Sequence, residues 1–193
     1  MMQWSEEAFV GGHPALDFLN TVDNQDKQRS ESRIGTWPAF FGWAAASGIF
    51  EGADRRRLEK LGARGGAAAP LAELHLLRET AYRVLCPLAA GLAPLPAHWA
   101  LMEAELQMTL GGAILEPGAA GCRWRARPDR QNWVVDVLAL TLEDLLRSPE
   151  LARLRECGRC SWLFLDYGRG RGRRWCDMRT CGNRAKAESF RTR

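Results

Sequence analysis

The chain has 193 residues, 46% of them hydrophobic, which suffices for one ordinary domain plus a small appendage and excludes a disordered or fibrous protein. Its net charge of +4 conceals a polarity: the first 150 residues sum to −4 and the remainder to +8. The longest apolar run, "WVVDVLAL", is interrupted by Asp136 and falls short of the roughly 20 residues that span a bilayer. The start, "MMQWSEEAFV", lacks the basic and apolar regions of a secretory signal. A soluble, cytoplasmic protein without membrane partners is expected.

In chain order, "GGHPALDFLNTV" predicts a short helix with Pro14 in its first turn. The polar stretch "DNQDKQRSESRIG" reads as a loop. "TWPAFFGWAAASG" predicts a helix capped by Thr36 and stopped by Gly48, and "DRRRLEKLGARGG" a second one started by Asp54. Over 70–85, Leu74, Leu77, Ala81, Val84 and Leu85 share one helical face, with Pro87 expected to bend or end the helix. "PAHWALMEAELQMTL" predicts another helix with Leu101, Glu105 and Met108 at helical steps. A β-hairpin follows in "GGAILEPGAAGCRWRARP", then a long helix that "SP" ends at Ser148 and Pro149. The fold class expected is mainly α with a small β-hairpin (α+β). It comprises a helical amino-terminal domain, 1–149, and a small treble-clef-like zinc finger, 150–193.

The last segment carries the chemistry. Cys157, Cys160, Cys176 and Cys181 stand as C-x2-C-x15-C-x4-C. Two cysteines separated by two residues can aim both sulfurs at one point, and Gly158 suits the tight turn between them. The x15 spacer allows a hairpin, "SWLFLD" out and "RWC" back, and Thr180 can cap a helix that begins at Cys181. Clustered cysteines in a reducing compartment argue for a metal before disulfides. Four thiolates close a tetrahedron around one structural Zn²⁺ and leave no position for a catalytic water. An iron–sulfur cluster takes the same four ligands. Cys86 and Cys122 read as buried free thiols.

The stretch "ECGRCSWLFLDYGRGRGRRWCDMRTCGNRAKAESFRTR" resembles the bacterial CGNR zinc finger, named for Cys181, Gly182, Asn183 and Arg184. Upstream, "GGHPALDFLNTVDN" resembles the start of the ABATE domain, with its Leu-Asp-Phe-x-Asn-Thr signature at Leu16 to Thr21. Together the two resemblances cover nearly the whole chain. They imply a stress-induced transcription regulator with a DNA-linked role.

From the residues themselves, the basic tail suits a polyanion. Arg169, Arg171, Arg173 and Arg174 alternate with glycines or adjoin them in the predicted hairpin loop. On a helix after Cys181, Arg184 and Arg191 share one ridge beside Asn183, and Lys186 lies on another, while Glu188 follows Cys181 toward the metal. Arginine suits phosphate through its planar fork, and Asn183 or Arg184 could read base edges. The competing reading docks the tail on its own acidic body, with Asn183 as a cap. His13, Asp17 and Asn20 form a candidate polar corner of a ligand pocket walled by Trp37 or Trp43, for a small-molecule effector; helix capping is the alternative. No nucleophile elbow, phosphate loop or paired-His motif is present, so no enzymatic activity is expected. Three functions are weighed: a DNA-binding regulator, a protein–protein interaction module whose finger is purely structural, and an enzyme acting through the amino-terminal domain. Homo-oligomers are compatible with the first, although no heptad seam is visible.

Overall fold

The computed structural model describes residues 4–63, 68–118, 121–168 and 172–191. A 3₁₀ turn, Glu6–Ala8, precedes helix α1 (Pro14–Leu19), which His13 caps by accepting from the Ala15 N–H at 3.2 Å. Helix α2 (Trp37–Ser47) starts at Thr36, whose hydroxyl accepts from the Ala39 N–H, and stops at Gly48, whose φ of +71° suits glycine. Helices α3 (Gly52–Ala63), α4 (Ala68–Ala89), α5 (Pro96–Gly111) and α6 (Trp133–Arg147) follow. Between α5 and α6 lies an antiparallel hairpin, β1 (Ile114–Gly118) with β2 (Gly121–Arg125), in which Leu115 faces Trp124.

Two expectations, on Pro87 and on the two remaining cysteines, are corrected here. Pro87 does not end α4, which continues to Ala89 because Leu88 and Ala89 still pack on the core; proline in the last turn removes only one ladder bond. On α5 the inward face is Met102, Leu106, Thr109 and Leu110, whereas Leu101 and Met108 are exposed. The Thr109 hydroxyl sits 3.4 Å from Asp136 on α6, and α5 turns this face toward α4 and α6. Cys86 is only half-buried, and Cys122 is exposed on β2.

The predicted face of α4 is the one buried, from Leu74 to Leu85. It packs with Phe18 and Leu19 of α1, Phe40 and Trp43 of α2, and Leu138 and Leu142 of α6 in one core. That core does not end at residue 149. After a 3₁₀ turn, Pro149–Arg153, strand β3 (Leu154–Glu156) pairs antiparallel with β4 (Leu163–Leu165). Leu154, Leu163 and Leu165 belong to the same core as the helices, while Trp162 and Phe164 join a second cluster with the four cysteines and Val22. The two-residue alternation of β4 thus divides its side chains between body and metal site.

Candidate metal centre and its basic surface

The knuckle follows β3 directly. Cys157 donates its N–H to the Trp162 carbonyl at 2.9 Å, and Gly158 donates to the Arg174 carbonyl at 2.9 Å. A Cβ at Gly158 would stand 3.1 Å from the Trp175 ring and 3.3 Å from that carbonyl. Close approach, rather than an unusual backbone angle, explains glycine there. The hairpin partner of β4 is β3, across the knuckle; among the described residues the returning segment before Cys176 forms no strand. It is tied back by the Gly158–Arg174 bond instead.

A wide π-type turn, Met178–Gly182, carries Cys181 into the cluster, and helix α7 (Asn183–Arg191) begins after it. The cap is Asp177, accepting from the Arg179 N–H, and not Thr180. A Cβ at Gly182 would lie 2.6 Å from the sulfur of the exposed Met178 side chain, which would have to move aside.

All four cysteines are fully buried, and their sulfurs lie within 4.8 Å of one another. Cys160 and Cys176 sulfurs are 3.7 Å apart. Zn–S bonds of about 2.3 Å define a tetrahedron whose sulfurs are about 3.8 Å apart. Donor type, number and spacing therefore fit one structural zinc. Crowding makes the thiols share protons: hydrogen bonds from Cys160 and its neighbours hold Cys157 far below the ordinary thiol range, and those with Cys157 push Cys176 far above it. A dication replaces those protons and compensates the buried charge.

The loop after α1 holds this centre against the helices. Asn20, buried, donates to the Leu163 carbonyl at 2.8 Å and accepts from the Leu163 N–H at 2.9 Å. Val22 accepts from the Trp162 indole at 3.0 Å, Asp26 from the Ser161 N–H at 3.1 Å, and Lys27 reaches the Cys157 carbonyl at 2.6 Å. The loop is itself pinned to α4. Buried Arg78 donates to the Thr21 carbonyl and hydroxyl and to Ser32. Glu79 binds both Arg78 and Arg29; burial pushes its carboxyl up, but the two guanidiniums outweigh that and hold it below the usual range. Sequence reasoning missed the Arg29–Arg78–Glu79 clamp; its signal was Arg78, a charge on the otherwise apolar face of α4.

The amino-terminal candidates are not brought together. Asn20 clamps Leu163, Asp17 accepts from the Gly11 N–H at 2.8 Å, and His13 caps α1 with its far nitrogen 3.4 Å from Asp144. Burial raises the Asp17 carboxyl to about 7, against the lowering effect of the Gly11 N–H. Trp43 is wholly buried and Trp37 stacks on Phe40, so neither walls a pocket around the three. Of the three, only His13 lines the ≈ 530 Å³ cleft between α6 and the hairpin β1–β2.

The basic candidates divide similarly. Arg184 donates to the Asn24 carbonyl at 2.9 Å and side chain at 3.0 Å, which ties it to the body. Asn183 donates to the Arg179 carbonyl. Glu188 does not face the metal and pairs with Arg159. Arg173 stacks on Phe164 and Arg174 on Trp175, yet both are exposed. Lys186 and Arg191 project from α7, which has no buried residue. Arg169 and Arg171 lie outside the described residues. No helix among the described residues is long and apolar enough to cross a membrane.

Two family models match the chain. The ABATE model, described as a putative stress-induced transcription regulator, matches residues 12–149, and the CGNR zinc finger model matches residues 153–193. No curated protein matches it.

Proposed function

The chain belongs to the ABATE family, with a CGNR zinc finger at its carboxyl end; from that premise we propose that the finger is its DNA-contacting surface and the helical body its regulatory part. The observation that carries the reading is α7. Lys186 and Arg191 are exposed on it, and Arg173 and Arg174 in the segment before Cys176 are exposed as well. Among the described residues, no salt bridge ties these four cations to a carboxylate. Cations exposed without salt-bridge partners are suited to phosphate, and Asn183 opens the helix that carries two of them. Arg169 and Arg171 precede Arg173 in the sequence. The body would carry the sensing role, for a small-molecule effector.

A second reading has its own support. The Arg184–Asn24 bonds and the Asn20 clamp make the finger an internal buttress, as a protein-interaction module would require. The two readings separate on the exposed cations, which a buttress does not need. Binding of the zinc-loaded chain to random duplex DNA, followed by fluorescence anisotropy over a salt series, distinguishes them. Affinity should fall steeply with salt. Lys186→Ala with Arg191→Ala should weaken binding several-fold at low salt and flatten the slope by about two. Unchanged DNA affinity in the double variant would leave the finger a buttress.

A further inference from the structure

A second cleft, of ≈ 390 Å³, opens where the body meets the finger. Its walls come from both: Ser5 and Glu7 of the first turn, 23–25 of the clamping loop and Arg33 on one side, Trp162, Thr180 and Arg184 on the other. Arg33 is the unusual member. Its guanidinium lies 4.3 Å from the Trp4 ring centroid and 5.8 Å from that of Trp162. Both indoles are thus within cation–π reach of it, Trp4 the closer. Among the described residues its side chain makes no hydrogen bond and no salt bridge. Burial lowers its pKa from the usual value, as expected for a cation withdrawn from water without a counter-charge.

Two carboxylates also line the cleft, each with a partner of its own. Glu7 turns to Arg179 at 3.6 Å, and Asp23 spends an oxygen on the Gln25 N–H at 2.9 Å. Arg184 commits one nitrogen to Asn24, which fixes its plane and leaves the rest of its fork open. Ser5 and Thr180 add hydroxyls. Two guanidiniums, one pre-stacked and one pre-anchored, form the kind of site that receives an oxyanion bidentately. The volume lies within the range of small-molecule sites, about 300–1,000 Å³. Trp162 in the lining is buried, whereas Ser5, Glu7 and Gln25 are exposed, so the cleft has a buried aromatic wall and is open to solvent.

We propose that this junction cleft binds a small organic oxyanion, a carboxylate or a phosphate ester, received by Arg33 and bridged to the finger by Arg184. Occupancy then couples the body to the finger, since the ligand contacts both and strengthens their docking. The proposal deepens the regulatory half of the function above; it rests on that reading for its consequence, while the binding itself is measured without DNA.

The test uses the zinc-loaded full chain with ¹⁵N-labelled indoles. Inorganic phosphate and succinate are titrated separately at constant ionic strength, with chloride as the reference. The Trp4 and Trp162 indole signals should shift saturably with at least one probe, and the responding probe identifies the anion type. Arg33→Gln should weaken that response about tenfold or more, as expected for losing a charge-assisted pair, with zinc content unchanged. Should that variant lose zinc, Arg33→Lys keeps the charge over Trp4 but not the fork, and a several-fold loss is expected. Shifts that never saturate, or that persist in the variants, overturn the proposal and make Arg33 a packing residue. DNA affinity should be unaffected by Arg33→Gln. A loss of DNA affinity without any saturable anion response would assign the cleft to a DNA phosphate and overturn the small-ligand proposal.

Discussion

Both ends of the Asn20 amide are spent on the backbone of Leu163, 143 residues away, at the point where body and finger meet. Removing it leaves a buried N–H and a buried C=O without partners, each costing about 1–3 kcal/mol. Asn20→Ala should therefore destabilise the zinc-loaded chain by about 2–4 kcal/mol in urea unfolding; a change under about 1 kcal/mol would mean that water takes over the bonds. Asp17 gives a pH signature. Burial raises its carboxyl from 3.8 to about 7, so the unfolded chain releases this proton first. The contribution from Asp17 is fully present below pH 3.8 and is lost as pH rises toward and through 7. Asp17→Asn should flatten the dependence of stability on pH across that window, read from unfolding midpoints. An unaltered profile would show that Asp17 ionises freely in the folded chain.

At the scale of elements, legibility followed the range of the interactions. The helices announced themselves through local signals: Thr36 and Gly48 bound α2, and the Leu74–Leu85 face of α4 is the buried one. The metal ligands were legible because their chemistry is carried by four residues at revealing spacings. The partner of β4 was not. Strand pairing is non-local, and nothing in "SWLFLD" distinguishes β3 from the segment returning to Cys176. On α5, helical spacing defines faces without saying which neighbour covers them, and the buried side carries Met102 and Thr109. His13, Asp17 and Asn20 clustered in sequence, yet the six-residue α1 sends them to three different partners. The Cys181 turn allows a test of how local the site is. Cys181→Ser should lower zinc content below one equivalent and change the near-ultraviolet circular dichroism of Trp162 and Trp175, which pack around the cluster. Full zinc retention would mean that the three remaining thiols suffice.

For the whole molecule, the decisive feature is that Leu154, Leu163 and Leu165 of the finger complete the core of the helices. The metal site is one end of a continuous structure and not a bead on a linker. Chelation should therefore destabilise the helical body as well. The zinc-loaded chain should unfold in one calorimetric transition, and chelator should move that transition downward as a whole. Two transitions, of which only one responds to chelator, would contradict a shared core. The same continuity gives the proposed function its form, with the finger and the first turn of α7 locked to the body through the loop after α1, and Lys186 and Arg191 exposed on α7.

The central claim, that the metal holds a basic surface in shape for DNA, is tested most directly by returning zinc to chelator-stripped protein while following its affinity for a labelled duplex. The account predicts that affinity rises with added zinc and stops rising at one equivalent. Metal-free protein that binds DNA as tightly as the zinc-loaded chain, with the same salt dependence, would contradict it.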